Sequence, residues 1–172
     1  KVPNGYQKIS TFHHIDAKIP LLRLEDPAYK VRHADIAALS MIAEPFRPPQ
    51  AVVRSLVGSF DFTGDSLWFE KATAVLPGSR ISGAGKYNIN NDNLTLRLHA
   101  DPVASNDIRW VYPRIPVKGS GKLDFNLDWV GDTSVYVVRN ADMMVEKAHL
   151  KGDLGLTYRG ADVSVQKSNF TF

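Results

Sequence analysis

The stretch "NNDNLTLRLHADP", residues 90–102, decides the fold class. Leu94, Leu96, Leu98 and Ala100 alternate with Thr95, Arg97 and His99. A period of two puts the leucines on one face of a strand and the polar residues on the other, whereas a helix would scatter the same leucines around its circumference. "NNDN" reads as the turn that starts the strand, and Asp101-Pro102 reads as its break.

Working outward, the same period recurs. "GKLDFNLDW" (121–129) sets Leu123, Phe125, Leu127 and Trp129 against Lys122, Asp124, Asn126 and Asp128. "ISGAGKYNI" (81–89) sets Ile81, Tyr87 and Ile89 against Ser82, Lys86 and Asn88. "GSFDF" (58–62) carries Phe60 and Phe62 on one face, and "DLGLTY" (153–158) carries Leu154, Leu156 and Tyr158. "SLWFEKATAV" and "SVYVVRN" are apolar on both sides for part of their length, so their phase stays open. Turn signals such as "FTGDS", "LPGS", "VGDT" and "YRGAD" separate these runs. The pattern predicts about ten strands at the spacing of an antiparallel meander. The expected fold is mainly β: a long, curved antiparallel sheet with one apolar face, left half-open as a groove.

Two proline-bracketed segments interrupt the alternation. In "DPAYKVRHADIAALSMIAEPFRPP", Val31, Ile36, Leu39, Met41 and Ile42 recur at roughly helical spacing, which predicts a short helix near Arg32 to Ala43. "DPVASNDIRWVYPRIP" predicts a second, near Asp107 to Tyr112, with Asn106 or Asp107 as its N-cap. These segments also mark a repeat. "LLRLEDP" (21–27) resembles "LRLHADP" (96–102), and "GSFDF" resembles "GKLDF". Leu21 and Leu96 lie 75 positions apart and Gly58 and Gly121 lie 63 apart, the longer first helix absorbing the drift. The expected units are about 19–95 and 96–172.

Composition narrows the function classes. The 172 residues carry a formal charge of +3 with both signs scattered, and no contiguous basic stripe marks a nucleic-acid binder. No apolar run is long enough to cross a bilayer as a helix. Cysteine is absent, which removes thiolate metal sites and cysteine nucleophiles. The chain opens at "KVPNGYQ" without an initiator Met, and "VSVQKSNFTF" still alternates at the other end, so residues 1–172 are expected to be a fragment of a longer groove domain.

No catalytic set assembles. His13 and His14 are adjacent, so on a strand they point to opposite faces and are poor chelators of one metal. His33, His99 and His149 are isolated, with no HExxH motif. Asp61 and Asp124 occupy matching repeat positions, where solvated charges that discourage strand slippage are a better reading than an acid–base pair. "SGAGKY" lacks phosphate-loop spacing, so Gly83 and Gly85 read as sites of strand curvature or close backbone approach. Neither an enzymatic activity, nor a cofactor, nor a metal is expected.

The stretch "ISGAGKYNINNDNLTLRLHADPV" followed by "VKGSGKLDFNLDWVG" resembles the bacterial AsmA-like envelope proteins, the group that includes TamB. There a strand ending in Gly-x-Gly leads through a polar turn to an L-x-L-x-L-x-A-x-P strand, a proline-flanked segment, and a G-x-G-x-L-D-x-x-L strand. Here Gly119, Gly121, Leu123, Asp124 and Leu127 stand in that last pattern, and the resemblance covers about Val57 to Tyr158. It implies a periplasmic segment of a large protein anchored in the inner membrane, similar to the bridge-like lipid transfer proteins. Such a segment forms a half-open β-groove, or taco, that carries phospholipid acyl chains between inner and outer membranes. The resemblance also implies a role in outer-membrane protein assembly through a barrel partner, with membrane contact made by regions outside these residues. Leu94, Leu96, Leu98, Leu123, Phe125, Leu127, Trp129, Leu154 and Leu156 would line the groove. The rival readings are a structural or adhesive β-sandwich with a closed core, and a closed-pocket lipid carrier.

Overall fold

The computed structural model describes residues 10–18, 32–43, 51–109, 114–166 and 168–171. Among these residues twelve strands follow one another: β1 (Ser10–Lys18), β2 (Arg32–Ala43), β3 (Ala51–Val53), β4 (Ser55–Phe62), β5 (Ser66–Val75), β6 (Arg80–Asn88), β7 (Asn93–Ala104), β8 (Gly119–Val130), β9 (Thr133–Val145), β10 (Ala148–Arg159), β11 (Asp162–Val165) and β12 (Asn169–Thr171). They form one antiparallel sheet in the order β1-β2-β4-β5-β6-β7-β8-β9-β10-β11, not closed into a barrel. β3 prolongs β4 along β2, and β12 prolongs β11 along β10. The curved, mainly β architecture that the alternation predicts is therefore present.

Neither of the two helices is. Arg32–Ala43 is a twelve-residue strand, hydrogen-bonded to β1 on one side and to β3 and β4 on the other. Helix propensity is a weak prior, and two flanking ladders override it. The second segment yields a single 3-10 turn at Ser105–Ile108. Its N-cap position is Ala104, not Asn106 or Asp107, and Ala104 makes no side-chain cap. The rest of that predicted helix, through Tyr112, and the "LLRLEDP" half of the repeat lie outside the described residues.

Register carries the alternation across the sheet. One row reads Ala34, Phe60, Phe69, Gly85, Leu96, Leu127, Tyr136, Leu156 and Val165, each paired with the next over nine strands. The row beside it reads Ile36, Gly58, Ala72, Gly83, Leu98, Phe125, Val138 and Leu154. On the opposite face the equivalent row is His33, Asp61, Trp68, Lys86, Thr95, Asp128, Val135, Thr157 and Ser164.

Three bulges keep these rows in phase. Glu70 and Lys71 of β5 oppose single residues on both neighbours, so Phe69 and Ala72 fall on the same face although three positions apart. Asp101 and Pro102 of β7 do the same opposite Lys122, aligning Ala100 with Val103. The bulge of β9 centres on Asn140 and aligns Val138 with Ala141.

The tightest packing lies at one end of the strands. Ala100, Val103 and Met143 form a buried cluster, joined by Ile81, Ile108, Leu123, Val145 and Leu150. The 3-10 turn folds against it, touching β3, β7 and β8. A polar latch holds the turn. The buried Asp107 carboxylate accepts bonds from Gly78 N (2.7 Å) and Ser79 Oγ (2.8 Å), and Ser79 Oγ in turn accepts from Ala104 N (2.8 Å).

Candidate functional site: an uncovered apolar face

All nine residues expected to line a groove stand on one face. Leu94 pairs with Trp129, Leu96 with Leu127 and Leu98 with Phe125, while Leu123 faces Ala100. Leu156 and Leu154 join the same rows through Tyr136 and Val138 of β9. Aromatic contacts stitch the face laterally. Phe60 meets Phe69 at 5.4 Å, Phe125 meets Tyr136 at 6.3 Å, and Tyr136 meets Tyr158 edge-on at 5.5 Å. Gly85 makes room for this layer. A Cβ there would stand 2.7 Å from the Phe69 ring and 2.8 Å from Leu96, so those side chains lie across the glycine.

What covers the face decides what it can do. Away from the 3-10 turn, strands make extended backbone contacts with their ladder neighbours alone among the described residues. Of this face Phe60, Ala72, Leu127, Ala141 and the cluster at the turn fall below a tenth exposed; Leu94, Leu96, Leu98, Phe125, Trp129, Leu154 and Leu156 are half-buried. A second layer would bury them fully, as in a two-sheet sandwich. The face is instead an apolar strip that crosses nine strands of the sheet, β2 to β11, bounded on one side by the turn. On the other side, Tyr87 and Trp129 turn polar tips outward, to Asp92 and to the Gly131 carbonyl.

The polar face is organised by histidine–aspartate pairs that no sequence motif announces. His33 Nδ1 sits 2.7 Å from Asp61, His99 Nδ1 2.7 Å from Asp124, and His149 Nε2 2.7 Å from Asp142, each across a strand boundary. His33 Nε2 also meets Asp35 at 3.1 Å, which takes a further bond from Ser59. Asp61 and Asp124 are therefore not loose solvated charges: they bind histidines on interior strands. The signal was present in the matching spacing of the two aspartates, but strand register supplies the partner. Asn140 donates to Asp124 at 2.7 Å, and its backbone N–H donates to Asp153 at 2.9 Å, extending the network to β10. The Asn140 and His99 bonds hold the Asp124 carboxyl below the ordinary carboxylate range. The His149 bond does the same for Asp142, with Lys151 and Lys122 adding to it. His33 is raised by its bonds to Asp61 and Asp35.

Other candidates contribute less. His14 lies at the β1 irregularity, 3.4 Å from Ser40. Gly83 and Gly85 are inside β6, as their lack of phosphate-loop spacing implies. A shallow depression of about 400 Å³ opens on the polar face beside Trp68, Ala84 and Arg97. Its guanidinium is already bound to both Asp128 oxygens at 2.8 Å and to two backbone carbonyls. Among the described residues no three His, Asp or Glu side chains gather as a metal site. No protein-family profile matches the chain, and neither a curated protein nor a solved structure matches it.

Proposed function

We propose that this chain is a periplasmic segment of an AsmA-like envelope protein whose apolar face carries phospholipid acyl chains between the inner and outer membranes. One observation supports the reading: an apolar strip runs without interruption across nine strands of an open sheet, with no second layer over it among the described residues. An acyl chain leaving a bilayer through water loses roughly 0.8 kcal/mol for each exposed CH₂, so a continuous apolar path lowers the barrier over its whole length. No headgroup chemistry is required of such a path, and no catalytic step. The same protein would serve outer-membrane protein assembly through a barrel partner reached by its other regions.

Photo-crosslinking tests this directly. A benzophenone side chain at Leu98 or Phe125 should capture phospholipid when the chain is incubated with vesicles. The same probe at Val137, which shares the polar face with Asn126 and Gly155, should not. Equal capture on both faces, or none at Leu98 and Phe125, would remove the conduit and leave a structural sheet.

A further inference from the structure

The two ends of the strands carry opposite charge. At one rim, the turns β4–β5, β6–β7, β8–β9 and β10–β11 present Asp65, Asp92, Asp132 and Asp162 in succession. At the other rim, the links around β3–β4, β5–β6, β7–β8 and β9–β10 present Arg54, Arg80, Arg114, Lys118 and Lys147. The sequence scatters these five cations over 94 positions (147 − 54 + 1), and the meander gathers them.

Three of these four acids have structural employment. Thr63 donates to Asp65, Tyr87 to Asp92 and Thr133 to Asp132, which is ordinary turn chemistry. The basic rim is different. All five cations are exposed, and none of their side chains makes a hydrogen bond or ion pair with a described residue. The acids of that rim offset them only in part: Asp107 is consumed by the latch and Asp142 by His149, leaving Asp101 and Glu146 exposed. Apolar side chains stand among the cations, with Val52 38%, Val117 54% and Met144 49% exposed.

The length of the row selects the partner. Arg54 to Lys147 spans five strand intervals, roughly 24 Å at the usual strand spacing. That is several Debye lengths at physiological salt, so the cations act on separate phosphates rather than on one small anion. Val52, Val117 and Met144 have no favourable place against a nucleic-acid backbone, but they can enter the boundary between headgroups and acyl chains. We propose that this basic rim docks the sheet, strand ends first, onto an anionic bilayer surface, with the acidic rim facing away. The inference stands whether or not the apolar face carries lipid.

Vesicle flotation tests it. The chain should bind phosphatidylcholine vesicles containing phosphatidylglycerol, release them at high salt, and ignore pure phosphatidylcholine. Arg80→Gln, Arg114→Gln and Lys118→Gln combined should weaken binding about a hundredfold. Lys71→Gln, Lys86→Gln and Arg139→Gln combined remove the same net charge from elsewhere on the sheet and should leave binding unchanged. Far-UV circular dichroism and a thermal melt confirm that both variants fold. Equal losses in the two variants, binding indifferent to phosphatidylglycerol, or equally tight rim-dependent binding to duplex DNA would overturn the proposal.

Discussion

At the scale of residues, the polar face is a set of cross-strand pairs whose members are far apart in sequence. His33 and Asp61 are separated by 28 positions and His99 and Asp124 by 25. Motif reading finds metal or catalytic histidines by short spacings, and these pairs have none. Their consequence is a stability profile with two limbs. The Asp124 and Asp142 carboxyls are depressed below the ordinary value of 3.8, so their contribution is complete above that value and is lost as pH falls through the folded-state values. His33 is raised above 6.5, so its contribution is complete below 6.5 and is lost as pH rises through the raised value. Urea midpoints should therefore be highest between about pH 4.5 and 6.5. His33→Gln should flatten the alkaline decline and leave the acid decline in place. An unchanged alkaline limb would mean that the His33 pair contributes nothing in solution.

At the scale of elements, bulges explain both what the sequence made legible and what it hid. The strands with unbroken alternation over the core rows, β8 and the first half of β7, read correctly down to the face of each leucine. "SLWFEKATAV" looked apolar on both sides because Glu70 and Lys71 shift the phase inside β5, moving Phe69 and Ala72 onto one face. "SVYVVRN" was ambiguous because Val135 and Val137 lie on the polar face while Tyr136 and Val138 line the apolar one, just before the β9 bulge. In β2 the alternation of His33 and Asp35 with Ala34 and Ile36 was available, but the alanine-rich composition around it mimics a helix. The β9 bulge makes the mechanism testable. Asn140 has φ +51°, a left-handed conformation that asparagine tolerates and β-branched residues resist. Its side chain also donates to Asp124. Asn140→Val should cost about 2–3 kcal/mol, combining backbone strain with the lost charge-assisted bond, and Asn140→Gly about 1–2 kcal/mol, mainly the bond. Urea denaturation measures both, and equal losses would show that the bulge conformation carries no strain.

At the scale of the whole molecule, the question is whether an apolar face on a single open sheet behaves as core or as surface. Composition and periodicity cannot distinguish the two, because both demand the same alternation of leucines. The structure places both environments on one face. Val103 is fully buried beneath the 3-10 turn, while Leu98, two rows away, is half-buried. An ionised group introduced into a dry, packed site loses its hydration, and the domain unfolds rather than hold it. At an uncovered site the carboxylate keeps part of its water, and the loss is mainly the burial of one leucine. Val103→Asp should therefore cost about 4 kcal/mol or more and abolish the cooperative transition. Leu98→Asp should keep a cooperative transition with a loss of about 1–2 kcal/mol. Equal collapse of both variants would mean that the leucine rows are covered in solution, and the lipid-carrying reading would fall with them. A folded Leu98→Asp chain that no longer yields phospholipid adducts from a probe at the neighbouring Phe125 would tie the openness of the face to its capacity to hold an acyl chain.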